Sequence, residues 1–209
     1  MSEAREKNTI LKDAVVLCII TLIAGLALGL VYELTKGPIE EAKLQEKRQA
    51  YKVVFADAAS FDDKENKYAN IAETSGQLLE ANAGISNTTI TEVLEATASD
   101  GTILGYVMTV SSLGYGGQVP ITIGVTLDGK IEAIEVLKNS ETAGFGANAS
   151  LPEFKDQFAG IQAEQIEYTK GEKTKDNEIA AVSGATITTK AVTNAVNAAL
   201  YYVQHELNN

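Results

Sequence analysis

The chain has little of what most metal and redox sites require: one cysteine and one histidine in 209 residues. Cys18 alone allows no internal disulfide, and a single thiolate cannot build an iron–sulfur cluster within this chain. His205 alone excludes multi-histidine metal centres and most histidine-based triads, so neither metal ligands nor catalytic side chains are expected. Bases are also short, with 17 Lys and Arg against 28 Asp and Glu, a formal charge of −11. Through Lys36 the bases Arg5, Lys7, Lys12 and Lys36 cancel the acids Glu3, Glu6, Asp13 and Glu33, so the whole deficit lies in residues 37–209. A body this acidic is repelled by nucleic acid, whose binding needs neutralised phosphates. Redox or group-transfer chemistry here has to come from a bound cofactor. Internal repeats and low-complexity segments are absent as well.

What is present begins with Ala14–Tyr32, AVVLCIITLIAGLALGLVY, a run without a charge. As a helix it spans about 28 Å, close to the hydrocarbon thickness of a bilayer. Gly25 and Gly29 are spaced as small-xxx-small, which permits close approach to another membrane helix. A cleaved signal peptide is the competing reading, but the apolar core is too long and Glu33-Leu34-Thr35-Lys36 is a poor cleavage site. The reading is an uncleaved single-pass anchor in the cell (inner) membrane. The bases nearest the span favour the N-terminus inside and the acidic body on the extracytoplasmic side.

Behind the anchor, Gly37-Pro38 reads as a helix break. Pro38 then opens a stalk helix, its apolar face built from Ala42, Leu44, Ala50, Val53, Val54 and Phe55, up to about Phe61. Residues 62–90 read as irregular, with a short helix near Gly76–Ala81. Four strand-length runs follow, Thr91–Thr97, Ile103–Ser111, Val119–Leu127 and Ile131–Leu137, rich in Val, Ile and Thr. Asp100-Gly101 and Asp128-Gly129 mark hairpin turns between them. Leu151–Phe158 reads as a short helix and Thr188–Leu207 as the last one. The class is α+β, one transmembrane helix followed by an antiparallel sheet packed with helices. The expected division is an anchor over 1–36, a stalk and irregular region over 37–89, and a binding domain over 90–209.

Three glycine-containing segments stand out. Val182-Ser183-Gly184-Ala185-Thr186-Ile187-Thr188-Thr189 runs into the start of the last helix, where free amides and the helix dipole favour an anion such as phosphate. The alternative there is an ordinary N-cap, with Ser183 or a threonine bonding the first turn. Glu141-Thr142-Ala143-Gly144-Phe145-Gly146-Ala147-Asn148 places glycines around a lone aromatic that can face a flat ring, or is a surface loop. Leu113-Gly114-Tyr115-Gly116-Gly117-Gln118 is richer in glycine than a hairpin needs. Its amides can line a pocket, or it is a flexible tip.

Taken in this order behind one membrane helix, the segments resemble the FMN-binding domain family. SGATIT resembles its S/T-G-A-T flavinylation motif, GYGGQVPITIGV its glycine-rich strand segment, and NSETAGFGAN its E-T-P-G-L-G segment, with Ala143 and Phe145 in place of Pro and Leu. Family members carry an Asp shortly before S/T-G-A-T, whereas here the nearest acids are Glu178 and Asp176. Length and motif order are most similar to the RnfG proteins of Rnf-type complexes, and next to the NqrC proteins of Na⁺-translocating NADH:quinone oxidoreductases. A cofactor-free anchored scaffold module is the alternative from another class.

The resemblance implies covalent FMN, its phosphate esterified to Thr186. It further implies cofactor contacts from Ser183, Gly184, Ala185, Thr188, Thr189, Lys190, Glu141, Thr142, Gly144, Phe145, Gly114, Tyr115, Gly116 and Gly117. The implied function is an electron carrier, not catalytic alone, in a complex that couples electron transfer between ferredoxin and NAD to Na⁺ or H⁺ translocation. Implied partners are the other membrane and peripheral subunits, among them a second FMN-bearing membrane subunit, and a flavin transferase for maturation.

Overall fold

The computed structural model describes residues 2–63 and 67–207. The chain divides into two units, Met1–Gln45 and Glu46–Asn209.

Helix α1 covers Ser2–Val54. Its apolar part has a window of mean hydropathy 2.9 with none of that window buried, long and apolar enough to cross a membrane. Within it Thr21 donates its hydroxyl to the carbonyls of Leu17 and Cys18, both at 3.0 Å, so this hydroxyl is not left facing apolar surroundings unpaired. The expected break at Gly37-Pro38 does not occur, because α1 runs through Pro38. Proline loses its own bond to the carbonyl four residues back and crowds that carbonyl with its ring, but its fixed φ is already helical. Good helix formers on either side, Glu40 to Lys43 among them, keep propagation cheaper than stopping and nucleating again.

In the second unit α1 ends at Val54, so Phe61 belongs not to a helix but to the three-residue strand β1, Ser60–Asp62. The buried face of this last part of α1 is Ala50, Tyr51 and Val54, continued by Phe55 just beyond it, whereas Ala42, Leu44 and Val53 are exposed. Helix α2, Ile71–Ala83, starts earlier than the short helix expected near Gly76–Ala81 and buries Ile71, Ser75 and Leu79, four residues apart. Gly84 ends it at φ +66°, a left-handed cap for which glycine is suited. The stretch read as irregular is thus mostly ordered, and residues 64–66 lie outside the described residues.

Strands β2 (Thr88–Thr97), β3 (Ile103–Leu113), β4 (Gln118–Thr126) and β5 (Ile131–Val136) follow, and with β1 they form an antiparallel sheet in sequential order. The hairpin turns fall where Asp-Gly predicted them, with Gly101 at φ +89° and Gly129 at φ +82°. Alternation splits β3 cleanly. Tyr106, Met108 and Val110 join the main core, and Val107 joins a smaller cluster with Tyr51, Val54 and Phe55. Register places Glu92, Thr109, Thr122 and Glu135 side by side across β2 to β5.

After β5 come a 3₁₀ turn (Gly146–Ser150), the short helix α3 (Pro152–Lys155) and a second 3₁₀ turn through Phe158. Strands β6 (Glu167–Thr169) and β7 (Glu178–Ala180) pair in parallel, a two-stranded element absent from the sequence reading. Helix α4 covers Thr186–Tyr202, two residues earlier than expected, and continues as a π turn over Val203–Leu207. Val192, Ala195, Val196, Ala199 and Leu200 seat it in the main core.

Candidate functional site

The start of α4 is rich in hydroxyls and open amides. Its first turn has no acidic residue and no side-chain cap. Thr189 N–H reaches the carbonyl of Ala185, while the amides of Thr186, Ile187 and Thr188 have no acceptor among the described residues. Three open donors at the positive end of a 17-residue helix favour an anion. Gly184 brings the chain in at φ +71°, a conformation that costs a non-glycine residue. A Cβ there would lie 3.1 Å from the ring of Phe145, so the second segment packs directly on the first.

The hydroxyls of Thr188, Thr189 and Thr186 have different fates. Thr188 Oγ1 donates to Glu141 Oε2 at 2.5 Å. Thr189 Oγ1 donates to the Ala185 carbonyl at 2.9 Å and accepts from Val182 N–H at 3.1 Å. Both residues are buried. Thr186, half-buried at the first position of α4, makes no hydrogen bond through its hydroxyl among the described residues.

These groups line a cleft of about 460 Å³, within the usual range of small-molecule sites. Its wall consists of Tyr115 from the β3–β4 loop, Glu141, Thr142, Phe145 and Gly146 from the loop after β5, and Gly184 to Thr188. Tyr115, Phe145 and Ile187 are large apolar side chains left 73%, 55% and 53% exposed at this one place. Flat and apolar surface is therefore offered beside the open amides of the helix start.

Glu141 holds the three segments together. Its Oε1 accepts from Gly116 N–H at 2.9 Å and its Oε2 from Thr188 Oγ1. Its own N–H donates to Asn139 Oδ1 at 3.0 Å, and Asn139 Nδ2 donates to the Leu137 carbonyl at 2.9 Å. Lys138 N–H donates to Glu46 Oε1 at 2.7 Å.

Of the residues singled out in the sequence, Thr186, Gly184, Ala185, Thr188, Glu141, Thr142, Phe145 and Tyr115 come together around the cleft. Ser183 and Lys190 are exposed and do not line it; Thr189 is buried beneath it. Gly114, Gly116, Gly117 and Gly144 also lie outside the lining. Gly144 and Gly117 sit at φ +78° and +142°, where glycine serves the loop. Gly146 and Ile187 line the cleft and were not singled out, although both lie inside the quoted segments. His205, near the chain end, stacks on Tyr201 at 4.3 Å, away from the cleft.

The described residues hold one membrane-length helix and an α+β domain whose cleft sets apolar surface beside open helix-start amides. Residues 114–201 match the family described as FMN-binding domain, and residues 1–54 match the RnfG N-terminal region. The G subunit of the Na⁺-translocating ferredoxin:NAD⁺ oxidoreductase complex of Acetobacterium woodii is 36% identical over 97% of this chain and 98% of its own length. The G subunit of the proton-translocating complex of Clostridium ljungdahlii is 30% identical over 97% and 96%. Among solved structures, the C subunit of the Na⁺-translocating NADH-quinone reductase of Parabacteroides distasonis has a TM-score of 0.46 and 28% identity, covering 54% of this chain and 60% of that one. The chain belongs to the RnfG family of ion-translocating ferredoxin:NAD⁺ oxidoreductase complexes.

Proposed function

We propose that this chain carries one FMN, joined through its phosphate to Thr186, as the electron-carrier subunit of an Rnf-type complex that couples ferredoxin:NAD⁺ electron transfer to Na⁺ or H⁺ translocation. The observation that carries the reading is the state of Thr186. In T-I-T-T its hydroxyl is the one not taken up by protein, and it stands beside three open amides at a helix start. The residues fit a flavin phosphate: a hydroxyl free to act as acceptor of the ester, donors for the phosphate oxygens, and glycine where the chain must come close.

Bound FMN supplies the one- and two-electron chemistry that no side chain here can. The open amides of Thr186 to Thr188 offset the phosphate charge. Tyr115, Phe145 and Ile187 offer apolar surface to a flat ring and exclude water from it. In the attachment step Thr186 Oγ1 bonds phosphorus, the hydroxyl proton leaves, and the donor's leaving group departs. The chain would gain FMN less one water, with no change of oxidation state. A flavin transferase supplies the activated flavin phosphate. The ester keeps the cofactor on a domain that faces the extracytoplasmic side, held by α1 in the cell membrane beside the other subunits, a second FMN-bearing one among them.

The test is co-expression with a flavin transferase. Denatured, acid-washed wild type stays yellow and fluoresces as a gel band, and Thr186→Val abolishes both. A colourless wild type under these conditions refutes the reading and favours a cofactor-free scaffold.

A further inference from the structure

We propose that Glu141 is a positioning residue, a clasp that locks three loops into one cleft, and not a ligand of what the cleft holds. The proposal rests on the flavin reading for its functional consequence, but its geometry stands alone. Both carboxylate oxygens already accept from the protein, Oε1 from Gly116 N–H and Oε2 from Thr188 Oγ1. The partners lie 25 and 47 residues away in the chain, on the β3–β4 loop and on α4. One side chain therefore ties the β3–β4 loop to the helix that begins with Thr186.

The glycines of two segments answer to this side chain. A Cβ on Gly114 would overlap Glu141 Oε1 and Val119 Cγ2, and one on Gly146 would overlap Glu141 Oε2 and Thr188 Oγ1. A Cβ on Gly116 would overlap the carbonyl of Ser140, the residue before Glu141. Such overlaps leave the neighbour no choice but to move. Gly114 and Gly146 thus leave room for the Glu141 carboxylate, and Gly116 leaves room for the backbone that carries it. Asn139 completes the device by bonding the Glu141 amide and fixing the approach of the segment.

The experiment compares Glu141→Ala, Glu141→Gln and Gly146→Ala with wild type in the full chain, in two readouts. The first is amide hydrogen exchange on flavin-free protein. Glu141→Ala and Gly146→Ala accelerate exchange at least tenfold over residues 114–117 and 183–188, while β2 to β5 keep wild-type protection. Glu141→Gln restores protection, because its amide oxygen accepts from Gly116 N–H and its amide nitrogen donates to Thr188 Oγ1. The second is covalent flavin per protein after co-expression with the transferase. Glu141→Ala and Gly146→Ala lower it at least fivefold, and Glu141→Gln restores most of it with the visible circular dichroism of the wild-type flavin. Unchanged exchange in Glu141→Ala overturns the clasp. A Glu141→Gln variant as defective as Glu141→Ala in both readouts also overturns it, since the carboxylate itself is then required. A wild type that takes up no flavin refutes the flavin reading alone, and the exchange data still decide the clasp.

Discussion

Two carboxylates organise this fold in contrasting ways. Glu92 on β2 is compensated: Lys47 Nζ at 3.1 Å, Tyr51 Oη at 2.5 Å and Thr109 Oγ1 at 3.1 Å all donate to its Oε2. Glu141 has two neutral donors and, among the described residues, no cation. The first fastens the last turns of α1 to the sheet, next to the cluster of Tyr51, Val54 and Phe55. The second stands at the edge of a cleft whose helix start keeps open amides. Buried polar networks that are fully satisfied rigidify a fold, and open donors mark where something else binds. The difference separates a carboxylate that fastens a helix to the sheet from one that ties the loops lining the cleft to the start of α4.

That separation can be broken most directly by exchanging the two losses. Glu92→Ala leaves the buried Tyr51 hydroxyl without its acceptor and costs about 2 kcal/mol in urea unfolding, with covalent flavin per protein unchanged. Glu141→Ala costs little in the same unfolding and loses most of the flavin. Equal losses of stability and flavin in both variants would erase the distinction.

Glycine substitutions give the next effect. On the α1 side a Cβ at Gly124 would overlap the Val54 carbonyl and sit 3.1 Å from the Phe55 ring. Gly124→Ala therefore destabilises by about 1–3 kcal/mol, measured by the unfolding midpoint, without altering exchange at residues 183–188.

Alkaline titration sharpens the contrast on the structural side. Burial, followed by the hydrogen bond to the Glu92 carboxylate, pushes the Tyr51 phenol well up. Burial, followed by Tyr106, Glu95 and Asp63, pushes Tyr68 up to about 12. Both phenols hold their protons longer in the folded chain than in the unfolded one, where the value is 10.0. Stability is thus undiminished below about pH 10 and falls as the pH rises toward 12. Phenolate absorbance and unfolding midpoints follow this together, and Tyr68→Phe removes part of the slope.

The smallest effect is Thr122→Val. Thr122 lies between Thr109 and Glu135 in the polar row, and its buried hydroxyl has no partner among the described residues. Replacing it with a methyl group stabilises by up to about 1 kcal/mol, seen as a higher unfolding midpoint.

Elements with their own periodicity or turn residues were readable from the chain: the uncharged run Ala14–Tyr32, β2 to β5, and the two Asp-Gly hairpins. Strands β1, β6 and β7 have three residues each, too few for alternation to register. Only the later part of helix α2 was read, near Gly76–Ala81, because its buried stripe of Ile71, Ser75 and Leu79 includes a serine, which satisfies Ile90 N–H and carbonyl instead of packing as an apolar residue. The persistence of α1 past Pro38 required weighing one lost bond against a new nucleation. At the cleft the three segments were each visible, yet the bonds that join them span 25 and 47 residues. No local pattern reveals such a pairing, so the tie that Glu141 makes between the segments was not legible in the sequence.

Peptide mass spectrometry on the fragment containing Thr186, from full-length protein matured with a flavin transferase, tests the central claim most directly. The account predicts a gain equal to FMN less one water on Thr186 itself, absent from Thr186→Val. An unmodified Thr186 in yellow wild-type protein, or the same gain on another residue, would contradict it.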